Sequence, residues 1–171
     1  MYKQDHHPVA LEASIVADPL YARFCSLPVC KDLSFRDTML LFSCFEPTVI
    51  EAGQTIYTAG SPSRHVMYLL LDGEVSVASA SGDVYARLGA GEVFGLFSFL
   101  DDQRPHSASL RAEREVVALS LSRSYFDLIT LEDPLLGGKL LLFMFRLLSR
   151  MALKLENEYA AIHEYALGRR V

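Results

Sequence analysis

One short segment carries residue types that could bind an anion. Phe94 and Gly95 open it, and Arg104 and His106 follow an apolar run. A guanidinium and an imidazole beside small residues are donors suited to a phosphate or another anion. Arg104 and His106 are two positions apart, so in an extended segment both side chains would face the same way. Pro105 between them weakens that arrangement.

No other pattern of reactive residues predicts catalysis. The serines have no G-x-S-x-G setting, and the chain has neither a P-loop nor a dinucleotide fingerprint. His163 and Glu164 begin an H-E-x-x-H pattern that Leu167 does not complete, so no zinc site is expected. The sequence therefore indicates a protein that is not an enzyme and that needs no metal.

Composition limits the partners and the location. The 171 residues are 51% hydrophobic and 22% charged, which suits one globular domain with a core, and the net charge of −5 disfavours nucleic acid as a partner. The start lacks a signal-peptide core, and the most apolar stretch is cut by Arg146, Arg150 and Lys154, so no membrane span is expected. Cys25, Cys30 and Cys44 form no C-x-x-C pair, which favours reduced thiols in a cytoplasmic protein.

The elements that would position the anion-binding segment can be read from the pattern. Residues up to about 31 permit one short helix, and Ser34 with Asp37 forms a capping box for a helix that ends before Pro47. Short runs rich in Val, Ile, Tyr and Phe then alternate with glycines up to about residue 120. They predict antiparallel strands in a small barrel or jelly roll with room for one ligand. Asp72-Gly73 predicts a hairpin turn, and residues 80–83 predict a second turn.

The last third of the chain returns to a helical period. A short helix is predicted in "SRSYFDLITL", and a long one from about Gly138 to Leu167. Apolar residues recur along the long helix at alternating spacings of three and four, interrupted only at Glu158, which predicts a homodimer through this helix. These residues are Leu141, Met144, Leu148, Met151, Leu155, Ile162 and Tyr165. A membrane-surface helix is the weaker alternative, because Lys139, Arg146, Arg150 and Lys154 are followed by three glutamates.

These segments resemble a known family. "VIEAGQTIYTAGSPSRHVMYLLLDGEVSV", "ARLGAGEVFGLFSFL", "SASLRA" and "LSRSYFDLI", with glycines at the turns, are similar to the cyclic-nucleotide-binding domain of the bacterial catabolite-activator and fumarate-nitrate-regulator superfamily. The resemblance implies an α+β, mainly β fold, in which an antiparallel β-roll is flanked by an N-terminal helix and a long dimerisation helix. It divides the chain into a tail with a short helix at 1–31, a β-roll at 32–133 and the long helix at 134–171.

The resemblance also implies a ligand site in which two anchors are replaced. Family members that bind ligand carry a glutamate for the ribose hydroxyl and an arginine for the cyclic phosphate; here those positions hold Leu96 and His106. Leucine accepts no hydrogen bond, and a largely neutral histidine lacks the planar fork of arginine, so affinity for cyclic AMP should fall by about two to four orders of magnitude. The implied pocket residues are Phe94, Gly95, Leu96, Phe97, Ser98, Arg104, His106, Ser107 and Ala108.

Several functions stay open at this point. The rings of Phe94, Phe97 and Phe99 are expected to fill the vacated pocket, which favours a regulatory or scaffolding module; the alternative is an apolar or aromatic effector. A cyclic-nucleotide receptor that uses Arg104 and His106 is a further alternative, as is haem ligation by a histidine such as His65. No helix-turn-helix follows the long helix, so either the chain is a stand-alone sensor or protein-interaction module, or it is the effector part of a longer transcription regulator.

Overall fold

The computed structural model describes residues 7–101 and 104–167, with side chains from residue 12 onward. Residues 1–6 of the predicted tail and 168–171 of the predicted long helix lie outside the described residues. The α-helices are α1 (His7–Ala17), α2 (Pro19–Ser26), α3 (Phe35–Ser43), α4 (Leu96–Leu100), α5 (Arg123–Glu132) and α6 (Pro134–Ala166), with a 3₁₀ turn at Pro28–Cys30. The segment before residue 32 thus holds two helices and a 3₁₀ turn, where the sequence predicted one short helix.

Side-chain caps explain where the N-terminal helices begin. The Asp18 carboxylate accepts a hydrogen bond from the Leu20 backbone N–H at 2.8 Å, and Pro19 occupies the first turn of α2. Ser34 Oγ accepts from the Asp37 N–H at 3.1 Å and starts α3, which ends at Ser43. The predicted capping box and the end of this helix before Pro47 are confirmed.

Eight strands in the described part of the chain form two antiparallel sheets. The strands are β1 (Glu46–Ile50), β2 (Thr55–Tyr57), β3 (Val66–Asp72), β4 (Val75–Ala78), β5 (Val84–Leu88), β6 (Val93–Phe94), β7 (Ser109–Ala112) and β8 (Val116–Ser122). One sheet has the order β1-β8-β3-β6 and the other the order β2-β7-β4-β5. The predicted jelly-roll-like α+β fold is confirmed, and the turn at 80–83 joins β4 to its antiparallel neighbour β5.

The prediction of a hairpin at Asp72-Gly73 is wrong. β3 pairs with β6 and β8, whereas β4 pairs with β5 and β7, so this turn carries the chain from one sheet to the other. Gly73 has φ +100°, and a Cβ here would lie 2.5 Å from the Glu115 carbonyl oxygen. Two strands joined by Asp-Gly look the same in sequence whether they pair or separate, because the pairing depends on distant strands.

Two apolar cores hold the fold together. One lies between the helices and the first sheet, where Phe24, Phe143 and Met67 are almost fully buried. The other fills the interior of the roll, around Leu70, Val75 and other small apolar side chains. Because α6 contributes Leu140, Phe143, Met144 and Leu147 to the first core, the first half of this helix is fixed against the roll.

The long helix begins earlier than predicted. α6 starts at Pro134 and not near Gly138, because the Asp133 carboxylate accepts a hydrogen bond from the Leu136 N–H at 3.0 Å and proline is well tolerated in the first turn. Lys139 of α6 forms an ion pair with Asp37 of α3, which lowers the pKa of that carboxyl. Among the residues that the structure describes, no helix has both the length and the apolarity that crossing a bilayer requires.

Gly73→Ala should be much more harmful than Gly82→Ala. Both glycines have similar φ angles, +100° and +95°, but a Cβ at Gly73 would overlap Glu115 and Val116, whereas a Cβ at Gly82 has nothing within 4 Å. We expect the free energy of unfolding to fall by about 1 to 2 kcal/mol for Gly82→Ala and by about 3 kcal/mol or more for Gly73→Ala. Chemical denaturation measures both, and equal losses would contradict the corner geometry.

Candidate functional site

The candidate site begins at a turn that only glycine can make. Gly95 follows β6 with φ +76°, and a Cβ on it would lie 2.4 Å from the Val66 carbonyl oxygen of β3. This close approach requires glycine whatever the protein binds. The turn directs the chain into the short helix α4, whose Ser98 is buried and donates a hydrogen bond from its hydroxyl to the Gly95 carbonyl at 3.1 Å.

His106 is turned into the protein. Its backbone N–H donates to Ser61 O and its carbonyl accepts from the Gly60 N–H, so the segment is tied to the turn after β2. Its side chain is buried, and the imidazole stacks on the Tyr57 ring with the ring centres 3.6 Å apart and the planes 8° apart. Burial, aided by the nearby charges of Arg64 and His65, lowers the pKa of His106 and favours the neutral ring.

Tyr57 was not identified from the sequence. Burial raises its pKa well above the ordinary value, and the neighbouring Gly95 backbone amide opposes part of that rise. Tyr57 therefore lies beside the amide that starts the cassette (residues 94–108) and also covers the face of His106. The local pattern gives no sign of this, because Tyr57 reaches the cassette through the pairing of β2 with β7, where it faces Leu110.

Arg104 does not join His106. Its side chain is about 60% exposed, and its Nε lies 3.6 Å from a carboxylate oxygen of Asp101. A cavity lies between the roll and α6, and its lining includes none of the three residues Arg104, His106 and His65. The expectation that Arg104 and His106 act together on one anion is therefore not met by this arrangement.

The phenylalanine rings leave the interior of the roll open, contrary to the expectation that they fill it. Phe94 stacks on Tyr68 with ring centres 4.8 Å apart, Phe99 packs edge-on against Phe126, and Phe97 is 54% exposed. A cavity of about 410 Å³ remains. The three rings are close in sequence, but the turn at Gly95 and the helix α4 send them in different directions.

The cavity is bounded by the roll and by the long helix. Six of the predicted pocket residues line it, namely Phe94, Gly95, Leu96, Phe97, Ser107 and Ala108. The other lining residues were missed from the sequence. Most of them lie in β5, which contributes Tyr85, Ala86 and Leu88, and in α6, which contributes Leu147, Arg150, Met151, Lys154, Leu155 and Glu158. Alternation along β5 could have indicated its inward positions, but nothing local shows that α6 covers the cavity.

The predicted apolar stripe of α6 is divided between two environments. Met144 is buried in the protein's own core, and Leu148 and Met151 pack partly against it, whereas Leu141, Leu155, Ile162 and Tyr165 are exposed. The exposed face instead follows a neighbouring register with spacings of four and three. It consists of Leu141, Phe145, Leu148, Ala152, Leu155, Tyr159, Ile162 and Ala166. We call these eight residues the α6 stripe; unlike the predicted register, it is not interrupted at Glu158.

No group of histidine, cysteine and carboxylate side chains suited to a metal ion occurs in the part of the chain that the structure describes. Cys30 and Cys44 are buried, and burial raises the pKa of their thiols to about 12 and about 11. Both thiols therefore stay protonated at neutral pH.

Acid should destabilise the fold through His106. The pKa of His106 is lowered in the folded protein, so the unfolded chain, with a histidine pKa of about 6.5, binds a proton more readily and gains from acidification. We expect the free energy of unfolding to fall as the pH drops below about 6.5. His106→Phe keeps a ring on Tyr57 and should reduce this dependence, whereas His163→Gln on the exposed end of α6 should leave it unchanged. Denaturation at a series of pH values gives the slopes, and equal slopes for His106→Phe and the wild type would contradict the assignment.

Solved structures show where this architecture occurs. A cyclic nucleotide-binding domain from Methylobacillus flagellatus KT is 24% identical, with a TM-score of 0.68 over 94% of this chain and 86% of that chain. The Thermus thermophilus catabolite activator protein is 26% identical, with a TM-score of 0.55 over 77% of this chain and 63% of that chain. The regulatory subunit of a cAMP-independent protein kinase A from Trypanosoma brucei is 19% identical, with a TM-score of 0.57 over 81% of this chain and 47% of that chain.

The sequence itself matches the same group. The profile of the cyclic nucleotide-binding domain covers residues 47–133, half of the chain, from β1 through the cassette to the end of α5. The profile match and the shared roll agree with the resemblance noted from the glycine-containing segments. The chain belongs to the cyclic nucleotide-binding domain family.

Proposed function

We propose that this chain is a non-enzymatic, cytoplasmic regulatory module that has the cyclic nucleotide-binding fold but does not bind cyclic AMP in the usual mode of the family. The observation that carries this proposal is the stack of the buried His106 on Tyr57. The side chain at the position expected to hold the phosphate is thereby engaged with the protein itself. The three free thiols support the cytoplasmic location.

The position expected to contact the ribose supports the same conclusion. Leu96 is 1% exposed and lies between the apolar core and the cavity wall. A ribose hydroxyl placed against it would lose its hydrogen bonds to water without gaining an acceptor, at a cost of about 1 to 3 kcal/mol. A cyclic phosphate that reached position 106 would also have to separate Tyr57 from His106.

Regulation without cyclic AMP is compatible with this fold. The Trypanosoma brucei protein with the same roll is described as the regulatory subunit of a cAMP-independent kinase. For this chain we infer that the roll either senses a different effector or serves as a protein-interaction module. The cavity of about 410 Å³ favours the first, because the roll keeps space for a small molecule.

Cyclic AMP and cyclic GMP should leave the melting temperature unchanged up to about 1 mM, because the positions for the phosphate and the ribose lack their anchors. A ligand present at about 100 times its Kd would instead add about 2.7 kcal/mol to the free energy of unfolding and raise the melting temperature by several degrees. A thermal-shift titration measures this. The triple variant Tyr57→Ser, Leu96→Glu, His106→Arg removes the ring that stacks on position 106 and places a glutamate and an arginine at the two anchor positions, so it should show a saturable shift with cyclic AMP.

The control in that titration is Arg104→Gln. If the wild type shows a saturable shift at micromolar cyclic AMP, the proposal is wrong. Loss of that shift in Arg104→Gln would then show that the protein is a cyclic-nucleotide receptor that uses Arg104. A flat titration for both proteins supports the proposal, and the triple variant shows that the assay can detect binding.

We further propose that the chain is a homodimer through α6. From Ala152 onward every residue of α6 that the structure describes is exposed, yet apolar side chains continue at heptad spacing through Leu155, Tyr159 and Ile162. A helix with such a stripe gains stability by packing against a second apolar helix, and symmetric dimers are the commonest arrangement. Phe97, Phe145 and Leu148 extend this apolar surface into a groove of about 300 Å³ beside α4.

A charge in the α6 stripe should break the dimer. Ile162→Glu and Phe145→Glu replace side chains that are 65% and 67% exposed, so neither change should disturb the core of one protomer. We expect sedimentation velocity to show a dimer for the wild type and at least a tenfold, about 1.4 kcal/mol, weaker association for each variant. Asn157→Glu adds the same charge off the stripe and should remain dimeric. A monomeric wild type, or equal behaviour of all three variants, would contradict the interface.

A further inference from the structure

The rim of the cavity carries a cation that the protein does not neutralise. Arg150, Lys154 and Glu158 are one helical turn apart on α6, and all three line the cavity. Lys154 Nζ lies 2.5 Å from a carboxylate oxygen of Glu92 and 3.8 Å from one of Glu158. Arg150 has no hydrogen bond or ion pair among the described residues. The Arg150 guanidinium is therefore the charged group on this wall with unused donors.

The body of the cavity is apolar. Aliphatic side chains from four strands and from α6 line it, with aromatic rings beside them. The aliphatic ones are Val77, Leu88, Val93, Leu110, Leu147 and Met151. Such walls favour hydrocarbon over hydroxyl-rich groups, because a buried hydroxyl without a partner loses its hydrogen bonds to water. A molecule that uses the whole cavity must combine an apolar body with an anionic end.

We propose that the cavity binds an apolar monocarboxylate, an alkanoic or arylalkanoic acid, with its hydrocarbon part inside the roll and its carboxylate on Arg150. This inference rests on the proposed function, since it names the class of effector for a cavity that does not bind cyclic AMP in the usual mode. Guanidinium binds carboxylate with two parallel hydrogen bonds, and it stays protonated at any physiological pH.

The charges around Arg150 narrow the ligand class. A dianion would be repelled by Glu92 and Glu158, whose carboxylates lie at the same rim. A cationic ligand would be repelled by Arg150, and a neutral one would leave its donors unused. A single negative charge at one end of an apolar chain or ring satisfies Arg150, the cation on the described part of the cavity wall that has no ion pair, without displacing Lys154 from Glu92.

The test compares an acid with its neutral isostere. Octanoate and octanamide, and 3-phenylpropionate and 3-phenylpropionamide, are titrated into the full chain by calorimetry and thermal shift. We expect a saturable signal for at least one acid and binding at least about tenfold weaker for its amide. Arg150→Gln should weaken the acid to about the level of the amide, and Arg150→Lys should fall between, because lysine keeps the charge but not the fork.

Two further variants locate the binding. Lys154→Gln removes the same charge from a cavity residue that is already paired with Glu92, so it should change acid affinity by less than about threefold. Ala86→Phe places a ring in the cavity and should abolish binding of acid and amide alike. Circular dichroism and the melting temperature of each ligand-free variant confirm folding, and the comparison of acid with amide on the wild type needs no variant.

The inference is overturned if neither acid gives a saturable signal, if acid and amide bind equally, or if Arg150→Gln and Lys154→Gln weaken the acid equally. Cyclic AMP titrated in parallel separates this failure from failure of the proposed function. Saturable binding of cyclic AMP would count against the proposed function, whereas silence of both cyclic AMP and the acids would remove only the carboxylate assignment.

Discussion

The close approach of Gly95 to β3 is the constraint on which the site depends. The Val66 carbonyl leaves no space for a Cβ at Gly95, and the chain turns there with a positive φ that favours glycine. This turn ends β6 and starts α4. The small residues Ser107 and Ala108 then return the chain to β7 along the cavity wall. The glycine at position 95 is therefore explained by the steric needs of the roll, independently of any ligand.

Leu96 and His106, at the positions where the family resemblance implies two anchors, differ in kind from Gly95. At Leu96 and His106 the roll can accept an apolar or aromatic side chain, and here these side chains join the packing of the protein itself. Leu96 enters the core under the helices, and His106 extends the aromatic contacts of Tyr57, Phe94 and Tyr68. The polar end of the site thus becomes part of the protein interior, while the apolar end stays open as the cavity. A fold can therefore keep the shape of a ligand site after its polar chemistry has changed.

Features set by neighbouring residues could be predicted from the sequence, and features set by distant contacts could not. The Ser34 cap, the strand runs and the turn at 80–83 depend on local hydrogen bonds and alternation, and they occur as predicted. The supposed hairpin at Gly73 depends on which sheet each strand joins. The stacking of Tyr57 on His106 depends on β2 meeting β7, and the role of Arg150 depends on α6 crossing the cavity. The register of the α6 stripe could not be settled because both candidate rows are apolar, and only the packing of Met144 in the core decides between them.

The cavity and the apolar groove beside α4 share part of their walls, because both lie against α6. Phe97, Met151 and Leu155 line both, so each of these side chains is a wall shared by two sites. A ligand in the cavity that moves one of these shared side chains must also change the surface of the groove. By linkage, a partner helix seated in the groove would alter ligand affinity by the same factor by which the ligand alters association. Coupling between ligand binding in the cavity and association through α6 therefore needs no long chain of contacts, because the same side chain lines both sites.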